Sequence, residues 1–210
     1  RWGQPALFLG HSLGGFVSLM LAAQHPALAS GVLMLDSPLI NGWRAKSLEM
    51  AKRTQLIDSL SPGKISRKRR NIWNTREEAL ALFQSKKSFA RWHPQMLQDY
   101  VTHGLTPTDD ARLTLFFSRE EETAIYNTLP HNLGQLLHLH PLRCPVGFIG
   151  GLQSKEMKQV GMDMTQKVTR GRIMMLEGSH LFPMEHPEAT AAAIEAQWRN
   201  LQIAASLRKN

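Results

Sequence analysis

The 210-residue sequence predicts an α/β fold, a mostly parallel sheet with flanking helices and an inserted helical segment. Three observations point there. Short apolar runs recur at Ala6–Gly10, Gly31–Asp36, Cys144–Gly151 and Arg172–Leu176, the pattern of strands buried on both faces. Segments with apolar residues at helical spacing separate and follow them, so strand, helix and strand form a βαβ unit and the sheet is parallel. Between the second and third runs lie about a hundred residues, too many for a crossover loop, which read as an insertion of their own.

The first run, bounded by Pro5, leads into Gly10-His11-Ser12-Leu13-Gly14-Gly15, a GxSxG pattern between a strand and a helix. Ser12 is the candidate nucleophile. Its hydroxyl has to project from a turn so tight that side chains at Gly10 and Gly14 are expected to collide with neighbouring backbone. The N–H of Leu13 then points to where an oxyanion would form. The plain alternative is a glycine-rich turn of any doubly wound protein. A phosphate-binding loop fails on spacing, because neither GxxxxGK[ST] nor GxGxxG fits these glycines. The helix that follows carries Phe16, Leu19, Met20 and Ala23 on one face and stops near His25-Pro26. The second strand ends in Asp36, at the C-terminal end of a parallel strand, where active groups collect; its plain alternative is a carboxylate bonding local backbone in the Asp36-Ser37-Pro38 turn.

Residues 41–140 read as helical, with segments at Trp43–Leu60, Arg67–Trp73, from Thr75 through Phe83, His93–Val101 and Asp109–Tyr126. Leu113-Thr114-Leu115-Phe116-Phe117 interrupts the last, with a short strand as the alternative there. Trp43, Trp73, Trp92 and several methionines offer either an apolar roof for a substrate or core packing for the insertion itself. After the third strand, Gln153–Val168 reads as one helix. The turn Glu177-Gly178-Ser179-His180 follows the fourth strand, and Pro187 opens an Ala-rich closing helix to about Leu207.

Hydrophobic residues make up 42% and charged residues 20%, enough apolar content for a packed domain and against disorder. The single cysteine, Cys144, excludes an intramolecular disulfide and reads as a small buried hydrophobe in a reducing compartment. No run is long enough to span a membrane and no signal-peptide core opens the chain, so a cytoplasmic location without membrane attachment is expected. The net charge of +8 is partly concentrated in Lys64–Arg70. That run reads as a solvated helix face, and nucleic acid is not expected as a partner.

The order of elbow, strand, insertion, strand, helix, strand, histidine turn and final helix resembles the α/β-hydrolase family. The resemblance covers nearly the whole chain as the second half of that fold. Gly10-His11-Ser12-Leu13-Gly14-Gly15 carries it at one end and Gly178-Ser179-His180-Leu181-Phe182-Pro183-Met184-Glu185-His186-Pro187-Glu188 at the other. It implies a partial α/β-hydrolase fold, with core parts 1–40 and 141–210 around a helical cap of 41–140. It also implies a Ser-His-acid serine hydrolase acting through an acyl-enzyme on a small carboxylic ester or related acyl substrate, with no cofactor and no metal. His180 would be the general base; His186 is the weaker candidate, and His11 reads as structural.

Two departures from the family shape the remaining expectations. Its acid usually follows the strand that here is Val146–Ile149, where this chain has Ser154. Some members carry the acid one strand earlier, which makes Asp36 the expected acid and Glu156 the fallback. The family also has strands before the elbow, one of whose loops gives a second oxyanion N–H, so the chain is expected to lack its N-terminal strands and to be a fragment or incomplete product. Carbon–carbon bond hydrolysis, acyl transfer and a catalytically impaired or non-catalytic binding homologue are the alternatives. Substrate identity and oligomeric state stay open.

Overall fold

The computed structural model describes residues 3–40, 69–127, 130 and 132–207. The chain divides into two compact units, one of Arg1–Ser47 with Pro130–Asn210 and one of Leu48–Leu129. In the first unit four parallel strands form a sheet in the order β1-β2-β6-β7: β1 (Ala6–His11), β2 (Ala29–Leu35), β6 (Val146–Gly151) and β7 (Ile173–Leu176). Among the described residues β1 pairs on one side, with β2.

These strands are almost uninterrupted hydrophobic runs because helices cover both faces. Val32, Met34, Val146 and Phe148 pack in one cluster with Leu19 and Ala22 of α1 (Leu13–Gln24). Leu33, Leu35 and Ile149 turn to the other face and meet Phe182, Ala193 and Leu201, the last two on the closing helix Pro187–Ser206. Strand alternation divides the side chains between the two layers.

Register sets the site. His11 pairs with Leu35, Leu35 with Ile149, and Gly151 with Leu176, so all four strands end at the same edge of the sheet. The residues just beyond those ends include Ser12, Asp36, Ser154 and His180.

The second unit holds β3 (Ile72–Trp73), α2 (Arg76–Gln84), α3 (Pro94–His103), β4 (Leu105–Pro107), β5 (Leu113–Leu115) and α4 (Arg119–Asn127). Its three strands form an antiparallel sheet in the order β3-β5-β4, so this segment is mixed rather than purely helical. Leu113 and Leu115 face its core while Thr114 between them is half-buried, a period-two pattern that makes the strand rather than the helix the better use of the apolar side chains. The helix expected over Arg67–Trp73 is corrected on its described part: residues 69–71 are not helical, and Ile72–Trp73 pair with β5. Trp73, 1% exposed, packs with Phe83, Leu97 and Val101, and Trp92 meets Phe89 at a tilt and Tyr100 edge-on. Both indoles fill the core of their own unit. Arg69 pairs with Glu122 and Arg70 with Glu78. Trp43, the Trp43–Leu60 segment and Lys64–Lys68 lie outside the described residues.

Two boundaries differ from expectation. α5 (Leu133–Leu139), within the 41–140 segment, belongs to the first unit, where Leu133 packs in the cluster that holds Leu19 and Phe148. The helix expected at Gln153–Val168 is two, α6 (Lys155–Val160) and α7 (Asp163–Thr169), because Gly161 between them adopts φ 81°, outside helical backbone. After β7 come the short α8 (Phe182–Glu185) and the closing helix, α9 (Pro187–Ser206).

Candidate active site

Ser12 sits between β1 and α1 with φ 52° and ψ −118°, a conformation that non-glycine residues avoid at a cost of roughly 1–3 kcal/mol. Its neighbours hold it there. Ser12 N–H donates to the Leu35 carbonyl at 2.9 Å, and its own carbonyl accepts from Gly15 N–H at 3.1 Å. The buried Ser37 hydroxyl also reaches that carbonyl, at 2.7 Å.

The glycines divide differently from expectation. A Cβ on Gly10 would meet the Gly14 carbonyl carbon at 2.1 Å, and one on Gly15 would meet Ser37 Oγ at 2.2 Å. One on Gly14 would meet nothing within 4 Å, which corrects the steric role expected of that residue. The tight approach lies between the strand end and the backbone of Gly14, not its α-hydrogens, and the second obligatory glycine is the next residue.

His180 brings the line together. Its Nε2 lies 3.0 Å from Ser12 Oγ and its Nδ1 lies 3.1 Å from Asp36 Oδ1. A carboxylate accepts, so Nδ1 carries the hydrogen and Nε2 is left to accept from the serine hydroxyl. Asp36 is 1% exposed, so its oxygens need donors. Gly151 N–H donates to Oδ2 at 2.8 Å and Ser154 Oγ–H to Oδ1 at 2.7 Å. The carboxylate therefore looks across the sheet edge to the β6 loop rather than into its own turn. Asp36 has φ 43°, the left-handed region that Asp tolerates better than most residues, with its N–H held by the Ile149 carbonyl at 2.8 Å.

Glu156 lies in the first turn of α6. Its Oε2 is 4.0 Å from His180 Nδ1, beyond hydrogen-bond distance, and its side chain is 46% exposed. Leu13 is the first residue of α1, so its N–H has no partner within the helix.

Three supporting groups, Ser154, Glu185 and Ser37, had no assigned role in the sequence, and His11, read there as structural, joins them. Ser154, fully buried at the position where a family acid was expected, donates to the acid that stands one strand earlier, and its Oγ also accepts from Met157 N–H to cap α6. Glu185 accepts from Ser179 N–H at 2.9 Å and Ser179 Oγ–H at 2.6 Å, which braces the loop ahead of His180. Ser37 supports the elbow. His11 reaches the histidine loop, with Nε2 at 2.7 Å from the His180 carbonyl and its ring centroid 4.9 Å from that of His180. Burial holds the His11 pKa below its ordinary value of 6.5. Nothing local marks Glu185 for this role, and nothing marks Ser154 except that it stands where the resemblance places a carboxylate.

Among the described residues no group of His, Cys, Asp and Glu could hold a metal ion, and no helix is long and apolar enough to cross a membrane.

Comparison with known proteins follows the same lines. The abhydrolase domain-containing protein AFT2-1 of Alternaria alternata is 24% identical over 231 aligned residues, covering 93% of this chain and 83% of its own length. Among solved structures, E-2-(acetamidomethylene)succinate hydrolase superposes with a TM-score of 0.66 at 19% identity, over 94% of this chain and 68% of its own. The thioesterase domain from the curacin biosynthetic pathway superposes at 0.65 and 18% identity, over 91% of this chain and 66% of its own. At such identities these structures speak for the fold. The model described as the alpha/beta hydrolase family matches residues 2–193, which span the parallel sheet, the elbow and the histidine loop, and the chain belongs to that family.

Proposed function

We propose that the chain is a serine hydrolase that cleaves a carboxylic ester or related acyl substrate through a covalent acyl-enzyme. The observation that carries this reading is the continuous line from Ser12 Oγ through the His180 ring to Asp36, with contacts of 3.0 and 3.1 Å. Ser12 Oγ attacks the acyl carbonyl as His180 Nε2 takes its proton. Negative charge develops on the carbonyl oxygen, and Leu13 N–H is the donor available to it from the elbow. His180 then returns the proton to the leaving group. Water, activated by the same nitrogen, attacks the acyl-serine and regenerates Ser12. Asp36 keeps the hydrogen on Nδ1 and faces the imidazolium during each transfer.

The reading is tested with p-nitrophenyl esters of graded acyl length, comparing wild type with Ser12→Ala. The expected result is turnover lost by about 10⁴-fold or more in the variant. An acid-quenched wild-type sample should carry the acyl mass on the peptide containing Ser12. Equal turnover by both proteins contradicts the proposal. Cleavage of a vinylogous diketone with no ester turnover would transfer the same residues to carbon–carbon bond hydrolysis.

A further inference from the structure

His11 is not in the proton-transfer line, yet it touches the residue at its centre. A carbonyl oxygen only accepts, so the 2.7 Å contact with the His180 carbonyl requires a hydrogen on His11 Nε2. His180 is thereby held at three points: its Nδ1 by Asp36, its Nε2 toward Ser12, and its backbone by the residue immediately before the nucleophile. The last point ties the histidine loop, which arrives from β7, directly to the end of β1. The charged and titratable groups facing His11 are His180 on that loop, Asp36 beyond β2 and Glu156 on α6. Its ring is tilted 38° to that of His180.

We propose that His11 is a positioning residue for His180: its Nε2–H fixes the loop that carries the base, and its ring must stay neutral while His180 takes up a proton. This rests on the serine-hydrolase reading. In the acyl-transfer cycle His180 becomes an imidazolium twice, each time with its ring centroid 4.9 Å from that of His11. A second positive charge there opposes the transfer. Burial favours the neutral form of His11, in keeping with that requirement. One residue therefore adjoins the nucleophile in sequence and braces the base in space.

The test is the rate at which a fluorophosphonate modifies Ser12, from about pH 5 to about pH 8, in wild type, His11→Gln and His11→Leu, with a thermal melt to show that each is folded. Gln places an amide N–H near the position of Nε2 but does not titrate; Leu supplies neither donor nor charge. His11→Leu should react about tenfold more slowly at the upper pH, and His11→Gln should recover to within about twofold of wild type. On the acid side the wild-type rate should fall more steeply than that of His11→Gln, because the His11 ring gains a charge beside His180 and the Gln amide does not. Full reactivity in His11→Leu, no rescue by Gln, or identical acid limbs overturns the inference. If wild type takes no label, the serine-hydrolase reading fails instead, and imidazole NMR decides on His11. The hydrogen-bonded Nδ1–H signal of His180 should persist in His11→Gln and be lost in His11→Leu, and its survival in the Leu variant overturns the positioning role.

Discussion

At the level of single residues, the two carboxylates near His180 differ in what surrounds them. Asp36 is buried with three donors around its oxygens, Nδ1 of His180 among them, whereas Glu156 is half-exposed and 4.0 Å away. Asp36→Asn is expected to lower ester turnover by about 10³ to 10⁴-fold, because an amide no longer fixes the tautomer or faces an imidazolium. Glu156→Gln is expected to change it by less than about threefold, since solvent screens an exposed charge. Near-normal turnover by Asp36→Asn in the p-nitrophenyl ester assay would remove Asp36 from the acid role. The places of Ser12, Asp36 and His180 beyond apolar strands were legible in the sequence, and their order as nucleophile, acid and base came from the family resemblance. The burial that separates Asp36 from Glu156 was not, since it depends on which loop closes over the carboxylate.

The elbow glycines separate in the same way. Gly14→Ala should leave the fold intact and raise stability by up to about 1 kcal/mol, since its Cβ meets open space on a helix. Gly10→Ala and Gly15→Ala should each destabilise strongly or fail to fold, with Cβ contacts of 2.1 and 2.2 Å. Denaturant midpoints compare the three. Spacing alone pointed to Gly10 and Gly14; the close approach of Ser37 to Gly15 arises between β2 and α1 and leaves no local trace. For His11, burial lowers the pKa in the folded chain, so its contribution to stability is complete above about pH 6.5, the unfolded value, and is lost as pH falls through the folded value. Melting temperatures of wild type should therefore decline more between about pH 7.5 and about pH 5 than those of His11→Gln. Parallel curves would show that His11 is not held neutral.

Among the elements, those whose signal is local were the most legible. Thr75 opens α2, its side chain accepting from Glu78 N–H at 3.1 Å, while the Glu78 carboxylate accepts from Asn74 N–H at 2.7 Å. The same pattern of Thr followed three residues later by Glu marks the helix start in the sequence. Thr75→Ala should lower stability by about 1 kcal/mol, read as a shift in urea midpoint with unchanged slope, and no shift would show that the cap is replaced by solvent. The short strands β3 and β4 were poorly legible because each gains stability only from pairing across the chain, and two or three residues carry too little periodicity to betray it, whereas the Leu-Thr-Leu alternation of β5 offered a strand as the alternative to a helix. The break at Gly161 was concealed by apolar residues on both sides of it.

For the whole molecule, the parallel sheet explains why residues far apart in sequence share one edge. Ser12 and His180 are 168 positions apart, yet the register aligns the ends of β1 and β7 through β2 and β6. That architecture was readable from four apolar runs because parallel strands buried on both faces have no polar alternation to blur them. The second unit has its own core around Trp73, Phe83 and Val101, which explains how about eighty residues are inserted between β2 and β6 without altering their pairing. The proposed function requires Ser12 to be an activated hydroxyl within this frame. Its most direct measurement is fluorophosphonate labelling followed by peptide mapping of wild type, Ser12→Ala and His180→Ala. A single adduct on Ser12, absent from the first variant and slowed by at least about a hundredfold in the second, is the expected result. Labelling that is absent from wild type, or that is as fast without His180, would show that His180 does not activate Ser12.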